Sequence, residues 1–109
     1  MRYNSIMKIN VHMSAYSTKN DIRTVEVPDN EITPKTTVNQ MLALIYHYGQ
    51  NDFQPQNHPS VSVGDVVGLE GDYYMVLGIG WKKLTESEFK GLPDNIASKP
   101  RFLYKMYEA

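Results

Sequence analysis

The sequence predicts a small α+β domain in which a mainly antiparallel sheet packs against one principal helix. Three patterns support this: apolar and polar residues alternate from Met7 to Ala15, a helical pattern runs from Val38 to Tyr48, and strand-like runs flank residues 70–72. The chain has 109 residues, of which 41% are hydrophobic. This size fits one domain with one modest core, so we expect a single domain over residues 1–109.

Two strands are predicted near the N-terminus. Alternation from Met7 to Ala15 has the period of two that a half-buried strand requires. A second short run, Ile22 to Val27, ends at the turn residues 28–30. Because a polar, turn-like segment (residues 17–21) joins the two runs, they are expected to pair as an antiparallel hairpin.

A capping box predicts the start of the main helix. Thr37 and Gln40 have the spacing at which the two side chains satisfy backbone donors at a helix N-terminus. Gly49 is expected to end the helix in a left-handed conformation. The segment from Gln50 to Pro59 contains two prolines and predicts a surface loop that is a candidate contact surface. The residues on one face of the predicted helix are Val38, Met41, Leu42, Ile45 and Tyr48.

A second hairpin is expected around the acidic turn Glu70-Gly71-Asp72. An aliphatic run leads into this turn, and the aromatic and aliphatic run from Tyr73 to Leu77 follows it. Gly78 and Gly80 bracket Ile79 and are interpreted as bulge glycines within the sheet. The predicted core residues are Ile9, Val11, Leu42, Ile45, Val66, Leu77 and Ile79.

The C-terminal third carries two further elements. Thr85 and Glu88 repeat the capping-box spacing and predict a short helical turn that ends near Gly91. Residues 92–100 read as irregular. Arg101 to Tyr107 alternates aromatic and other residues, which predicts a last strand or an aromatic tail packed on the sheet.

Charge is distributed unevenly, although the net charge is only -1. Residues 28–80 hold six acids against one lysine, whereas the segments on either side are basic. An acidic middle suits a basic protein surface, a basic C-terminal stretch suits a phosphate backbone, and a solvated mixed surface is the simpler alternative. The chain has no cysteine and no apolar run of membrane-spanning length, so a cytoplasmic protein is expected.

Catalytic patterns are weak in this sequence. The histidines do not share a metal-binding spacing with one another or with a carboxylate. Asp52 and His58 have residue types that can orient a base, but no serine or threonine nearby lies in a nucleophile elbow. Residues 78–80 are too short for a dinucleotide fingerprint. We therefore expect no enzyme activity, no metal and no cofactor.

A cluster of aromatic residues and lysines is the most suggestive binding feature. Tyr73, Tyr74, Trp81, Lys82 and Lys83 combine rings that can stack on bases with cations that can neutralise phosphate. The same residue types are frequent anchors of protein interfaces. Adjacent strand residues point to opposite faces of a sheet, so only one of the two tyrosines is expected to be free.

Between Thr37 and Phe89 the chain carries an ordered set of short motifs. They are the helix Val38 to Tyr48, Asp52-Phe53, His58, the run Ser-Val-Ser-Val-Gly-Asp-Val-Val at 60–67, Tyr73-Tyr74, Gly80-Trp81 and Phe89. In this order and spacing the chain resembles the YodL-like domain of plasmid, phage and conjugative-element proteins of Gram-positive bacteria. It differs from the family pattern at Gly64, where serine is usual, at Trp81, where phenylalanine is usual, in residues 75–78, which lack an Asp-Ser pair, and in a longer loop after Phe53.

The resemblance implies a function by analogy. A short version of this domain from a mobile element is similar to accessory cargo, which is often directed against host defence. It implies a non-enzymatic inhibitor that binds a host protein, with a type II CRISPR effector nuclease as the expected target. The alternative is a small nucleic-acid-binding module or regulator of a mobile element, acting through Trp81, Lys82, Lys83, Arg101 and Lys105. The expected partner-binding residues of the inhibitor are Asp52, Asp65, Glu70, Asp72, Tyr74, Trp81, Lys82 and Lys83.

Overall fold

A computed structural model describes residues 6–50 and 59–107 of the chain. Within them a five-stranded sheet carries helices on both faces, which confirms the predicted α+β class. No helix in these two ranges is both long and apolar enough to cross a membrane. The strands are β1 (Ile6–His12), β2 (Ile22–Pro28), β3 (Val66–Leu69), β4 (Asp72–Val76) and β5 (Trp81–Leu84). The helices are α1 (Val38–Tyr48), α2 (Glu86–Lys90) and α3 (Pro100–Tyr107), with short 3-10 turns at Asp29–Glu31 and Ile96–Ser98.

The strand order is β2-β1-β3-β4-β5, and every neighbouring pair is antiparallel. β1 and β2 pair over their full length, from Ile6 opposite Pro28 to His12 opposite Ile22. β3 and β4 pair around the acidic turn, with Leu69 opposite Asp72. Both predicted hairpins are therefore confirmed, and β2 and β5 form the two edges of the sheet.

The principal helix α1 packs on one face of the sheet and closes what we call the first core. The capping box of Thr37 and Gln40 forms as predicted, with both reciprocal hydrogen bonds present. The buried residues of the first core are Ile9, Val11, Met13, Val25, Val27, Met41, Leu42, Ile45, Val61, Val67, Leu69 and Val76. Most of them alternate along the strands, as the sequence pattern requires.

Gly49 follows α1 in a right-handed conformation, with φ at -75°, so the predicted left-handed helix end is wrong. Close packing explains the glycine instead. A Cβ atom at position 49 would lie 2.4 Å from Cγ2 of Val61 and 2.9 Å from the carbonyl oxygen of Ile45. Position 49 therefore lacks a side chain because Val61 packs directly onto the backbone.

A second core covers the opposite face of β3, β4 and β5, so the chain builds two apolar clusters where one was expected. The capping box of Thr85 and Glu88 begins α2 as predicted. Tyr73 stacks on Phe89 of α2 with ring centroids 3.8 Å apart. The buried residues of the second core are Val66, Met75, Leu77, Leu84, Leu92 and Ile96.

The C-terminal segment is helix α3, which corrects the predicted strand or aromatic tail. Phe102, Leu103 and Met106 pack against the second core, at the i, i+1, i+4 spacing of one helical face. Pro100 occupies the first helical position, where its fixed φ and missing N–H are tolerated. This proline was the sequence signal for a helix.

Ile79 is the one predicted core residue that lies outside the core, since its side chain is 87% exposed. Residues 78–80 turn the chain from β4 into β5, and the Leu77 N–H donates to the carbonyl oxygen of Gly80 at 3.1 Å. Gly80 has φ at +74°. The glycines therefore build a turn and not a bulge, and Ile79 stands at its tip.

Candidate interaction surface

The structure separates the residues predicted to bind a partner. Asp52 lies outside the described residues. Asp65 is buried, whereas Glu70 and Asp72 lie at the acidic turn. Tyr74, Trp81 and Lys83 share the face of the sheet that α1 covers, and Lys82 points to the opposite face.

Asp65 is only 1% exposed and so cannot contribute to an exposed acidic patch, which corrects that part of the prediction. Its carboxylate accepts hydrogen bonds from the backbone N–H of Ala15 at 3.0 Å and of Ser62 at 2.8 Å. Burial raises the pKa of Asp65 to about 6, although these two bonds and Arg23 favour the charged form. Asp65 therefore ties the segment before β3 to the segment after β1.

Arg23 is the buried cation near Asp65. Its Nη1 donates to the carbonyl oxygen of Gly49 at 2.9 Å and to that of Pro59. Burial lowers the pKa of the guanidinium, and the charge of Asp65 opposes this shift. Arg23, Val25 and Val27 occupy every second position of β2 and are all buried. The strand pattern therefore indicated that Arg23 faces inward, which sequence reasoning missed.

The acidic turn forms as predicted. Glu70 and Gly71 have φ of 53° and 84°, the two positive values of a type I′ hairpin turn. The Glu70 side chain is exposed, and the Asp72 carboxylate lies 3.5 Å from Nζ of Lys83. Because glutamate disfavours the left-handed region, Glu70 is not the residue that the turn itself would select.

Two clefts adjoin the acidic turn. One, of about 560 Å³, is lined by Gly71, Asp72 and Tyr73 together with Lys83 to Glu86 of the β5–α2 connection. The other, of about 390 Å³, has an apolar floor and Glu70 at its rim. The floor of the second cleft includes Met7, Ile9, Ile32, Met41 and Leu69. The turn therefore stands at the border of both clefts.

The predicted cluster of aromatic residues and lysines divides between the two faces of the sheet. Tyr74 is half-buried against the first core, so only part of its ring is accessible. Lys82 lies with Leu84 on the opposite face, where its side chain is 15% exposed and its Nζ is 3.9 Å from Glu88. Trp81 and Lys83 remain together on the α1 side.

We use the name apolar rim for Tyr46, Ile79 and Tyr107, whose side chains are exposed, together with Trp81, which is partly buried against the first core. The rings of Tyr46 and Trp81 meet edge to face, with centroids 6.3 Å apart. Ile79 precedes Trp81 by two residues, and the Tyr107 hydroxyl accepts a hydrogen bond from the Gly78 N–H. Sequence reasoning missed Tyr46 and Tyr107, because the contacts of α1 with Trp81 and of α3 with Gly78 are tertiary features.

Helix α3 braces the β4–β5 turn, which carries Ile79 of the apolar rim. The hydrogen bond between Tyr107 and Gly78 fixes the turn that presents Ile79, and a Cβ atom at position 78 would lie 2.8 Å from the tyrosine hydroxyl. Tyr104, about one helical turn before Tyr107 on α3, is also exposed. The exposed isoleucine is thus presented on a braced turn and not on a free loop.

Among the described histidines, His12 makes a hydrogen bond and ring contacts. No group of three or more His, Cys, Asp or Glu side chains able to hold a metal ion occurs in residues 6–50 and 59–107. Nδ1 of His12 lies 2.7 Å from the carbonyl oxygen of Lys19, and its ring meets Tyr73 and Phe89 edge-on at 5.7 and 4.8 Å. His58 lies outside the described residues.

Comparison with known proteins identifies no relative of this chain. Models of known families, curated proteins and solved structures were each compared with the chain, and none matched. The relation to the YodL-like domain therefore stays a prediction from the motifs between Thr37 and Phe89.

Proposed function

We propose that this chain is a non-enzymatic protein-binding domain that contacts its partner through the apolar rim. The observation that carries the proposal is the 87% exposure of Ile79 on a turn clamped by Tyr107. Connected exposed apolar surface is typical of interaction sites, and tyrosine and tryptophan are frequent interface anchors. A braced anchor also loses little conformational entropy on binding, which favours affinity.

The resemblance to mobile-element proteins gives this binding domain a proposed biological role. We infer a cytoplasmic phage or mobile-element inhibitor of host defence, an anti-CRISPR protein whose target is a type II effector nuclease. An inhibitor of this kind needs an adhesive surface and no catalytic group. The rim can block assembly of the nuclease, and Glu70 and Asp72 can enter a basic groove that otherwise holds guide RNA or DNA.

A nucleic-acid-binding module remains the alternative, but the geometry supports it less. Trp81 and Lys83 lie on the α1 side of the sheet, Lys82 points to the other side, and Arg101 and Lys105 lie on α3. Lys83 is thus on one face of the sheet while Lys82 and α3 are on the other, and the Lys82 side chain is only 15% exposed. Gel-shift titration at two salt concentrations tests this alternative, since micromolar binding that weakens steeply with salt would favour it.

Capture of the purified nuclease tests the leading proposal. The immobilised chain is incubated with the nuclease, with and without guide RNA, and Ile79→Ser is compared with Ile22→Ser. Ile22 is a matched control because it is also exposed, at 51%, but lies on the opposite edge strand. We expect the wild type and Ile22→Ser to capture the nuclease equally. Ile79→Ser should have at least about tenfold lower affinity for the nuclease.

Two outcomes would contradict the proposal in different ways. Failure of the wild type to capture the nuclease in either guide state would remove this target. Equal capture by Ile79→Ser would move the contact away from the apolar rim.

A further inference from the structure

The outer edge of β5 presents backbone groups that no described residue bonds. Among the described strands β5 is the last of the sheet, and β4 alone pairs with it. Val76 of β4 lies opposite Trp81, yet its N–H donates to the carbonyl oxygen of Asp65 and its carbonyl accepts from the Gly64 N–H, both at 2.8 Å. Val76 therefore directs its hydrogen bonds away from β5.

Alternation along an antiparallel pair then orients the rest of the strand. Residues opposite each other alternate between pairs that exchange hydrogen bonds and pairs that do not. Because Val76 and Trp81 do not exchange them, neither do Tyr74 and Lys83, two residues further along. The N–H and C=O groups of Trp81 and Lys83 consequently point outward, and such an open edge is a template for another strand.

The side chains along β5 indicate which kind of strand can pair with its open edge. A second copy of the chain, pairing antiparallel about Lys82, would place Lys82 directly opposite its own equivalent. Like charges directly opposite each other destabilise a strand pair. Lys83 and Trp81, by contrast, offer a cation and a large ring on the same face, two residues apart.

We propose that β5 binds an extended segment of a partner protein as a sixth, antiparallel strand of the sheet. The segment carries an acidic residue opposite Lys83 and, two residues later in its own sequence, an aromatic or β-branched residue opposite Trp81. The backbone bonds supply affinity and the two side-chain pairs supply specificity. This inference rests on the proposed protein-binding function and names the chemistry of the partner.

Lys83 is available for this contact. Its side chain is 60% exposed, and its pairing with Asp72 at 3.5 Å is between two solvated groups. Exposed ion pairs of this kind contribute little stability, so an incoming carboxylate can replace Asp72 at small cost. Trp81 is partly buried against the first core, so part of its ring is accessible, and the exposed Ile79 precedes it by two residues.

Selection from a displayed library of random peptides tests the inference. The wild type is the bait, and the selected peptides are then titrated against Lys83→Pro and Lys83→Ala. Proline removes the outward N–H of residue 83 without removing a bond to β4, a substitution that edge strands tolerate. Alanine removes the same charge and keeps the N–H.

We expect enriched peptides with an acidic residue two positions before an aromatic or β-branched residue. Lys83→Pro should lower the affinity for these peptides at least tenfold. Lys83→Ala should lower the affinity by less than Lys83→Pro does. Absence of enriched peptides, or equal affinity of Lys83→Pro and Lys83→Ala, would overturn the inference. A concentration-dependent dimer that Lys83→Pro dissociates, measured by sedimentation, would assign the edge to a second copy and overturn it as well.

The Ile79→Ser variant separates this inference from the proposed function. If nuclease capture depends on Ile79 while Lys83→Pro and Lys83→Ala capture equally, the protein-binding function stands and strand addition at β5 fails. If peptides bind at β5 but Ile79→Ser captures the nuclease as well as the wild type does, strand addition stands and the rim proposal fails.

Discussion

β4 ends in a hairpin turn on each side, and the two turns differ in what holds them. The acidic turn before β4 places Glu70 at φ 53° and depends on its own backbone, with a solvated contact between Asp72 and Lys83 beside it. The turn after β4 exposes Ile79 and is clamped by the Tyr107 hydroxyl. A charged tip in solvent mainly affects how fast a partner associates, whereas a braced apolar tip mainly affects how long it stays bound.

Carboxylates show the same contrast between the two ends of β4. Asp65, beside Val76 at the apolar end, is buried and bonded to the backbone of Ala15 and Ser62. Glu70 and Asp72, at the other end, lie toward solvent. A count of acids in the sequence treats the three alike, but the fold makes one a structural brace and leaves two for contact.

The largest expected effect belongs to the core that carries both turns. Ile45 of α1 is fully buried in the first core, so Ile45→Ala should lower the free energy of unfolding by about 2 to 5 kcal/mol. Both turns should lose stability together, because they share this support. Urea denaturation measures the loss, with the exposed Val38→Ala on the same helix as the control. A loss below about 0.5 kcal/mol would contradict the packing of α1.

Local chemistry explains which elements the sequence could predict. The alternation in β1, the capping boxes at Thr37 and Thr85, and the turn at residues 70–71 each depend on neighbours in the chain. Residues 101–107 were misread because a stretch this short fits both a period of two and one helical face. Only packing against the second core decides between them.

The second expected effect concerns the buried carboxylate at the apolar end. Burial raises the pKa of Asp65 from 3.8 to about 6. Between these two pH values the Asp65 carboxyl is therefore mostly protonated in the folded chain and mostly ionised in the unfolded chain. This contribution to stability is full below pH 3.8 and is lost as the pH rises through about 6, a change of up to about 3 kcal/mol.

Asp65→Asn has no such proton to lose. The difference in unfolding free energy between the wild type and Asp65→Asn should therefore fall from pH 4 to pH 7, as measured by urea denaturation across this range. Asp72→Asn, which alters a solvated carboxylate, is the matched control. A constant difference would show that Asp65 titrates at its ordinary value, and a difference that grows with pH would show that folding lowers its pKa.

The candidate site was less predictable than the fold. Trp81, Lys83, Glu70 and Asp72 were predicted to bind a partner from residue types alone, since aromatic residues and charges near turns are frequent at surfaces. The burial of Asp65 depends on a long-range contact with Ala15, and the exposure of Ile79 depends on glycines that turn the chain where a strand was expected. Neither feature is encoded in a local pattern.

The smallest expected effect on stability belongs to the acidic turn. Glu70→Gln combined with Asp72→Asn should change the free energy of unfolding by less than about 0.5 kcal/mol, because the carboxylates are solvated. Glu70→Asn sharpens the test, since asparagine tolerates the left-handed conformation at φ 53° and should leave stability equal or slightly higher.

Target association, measured by surface binding kinetics, should nevertheless slow by about two- to tenfold, because complementary charge speeds encounter. Unchanged kinetics in both variants would remove the acidic turn from the site.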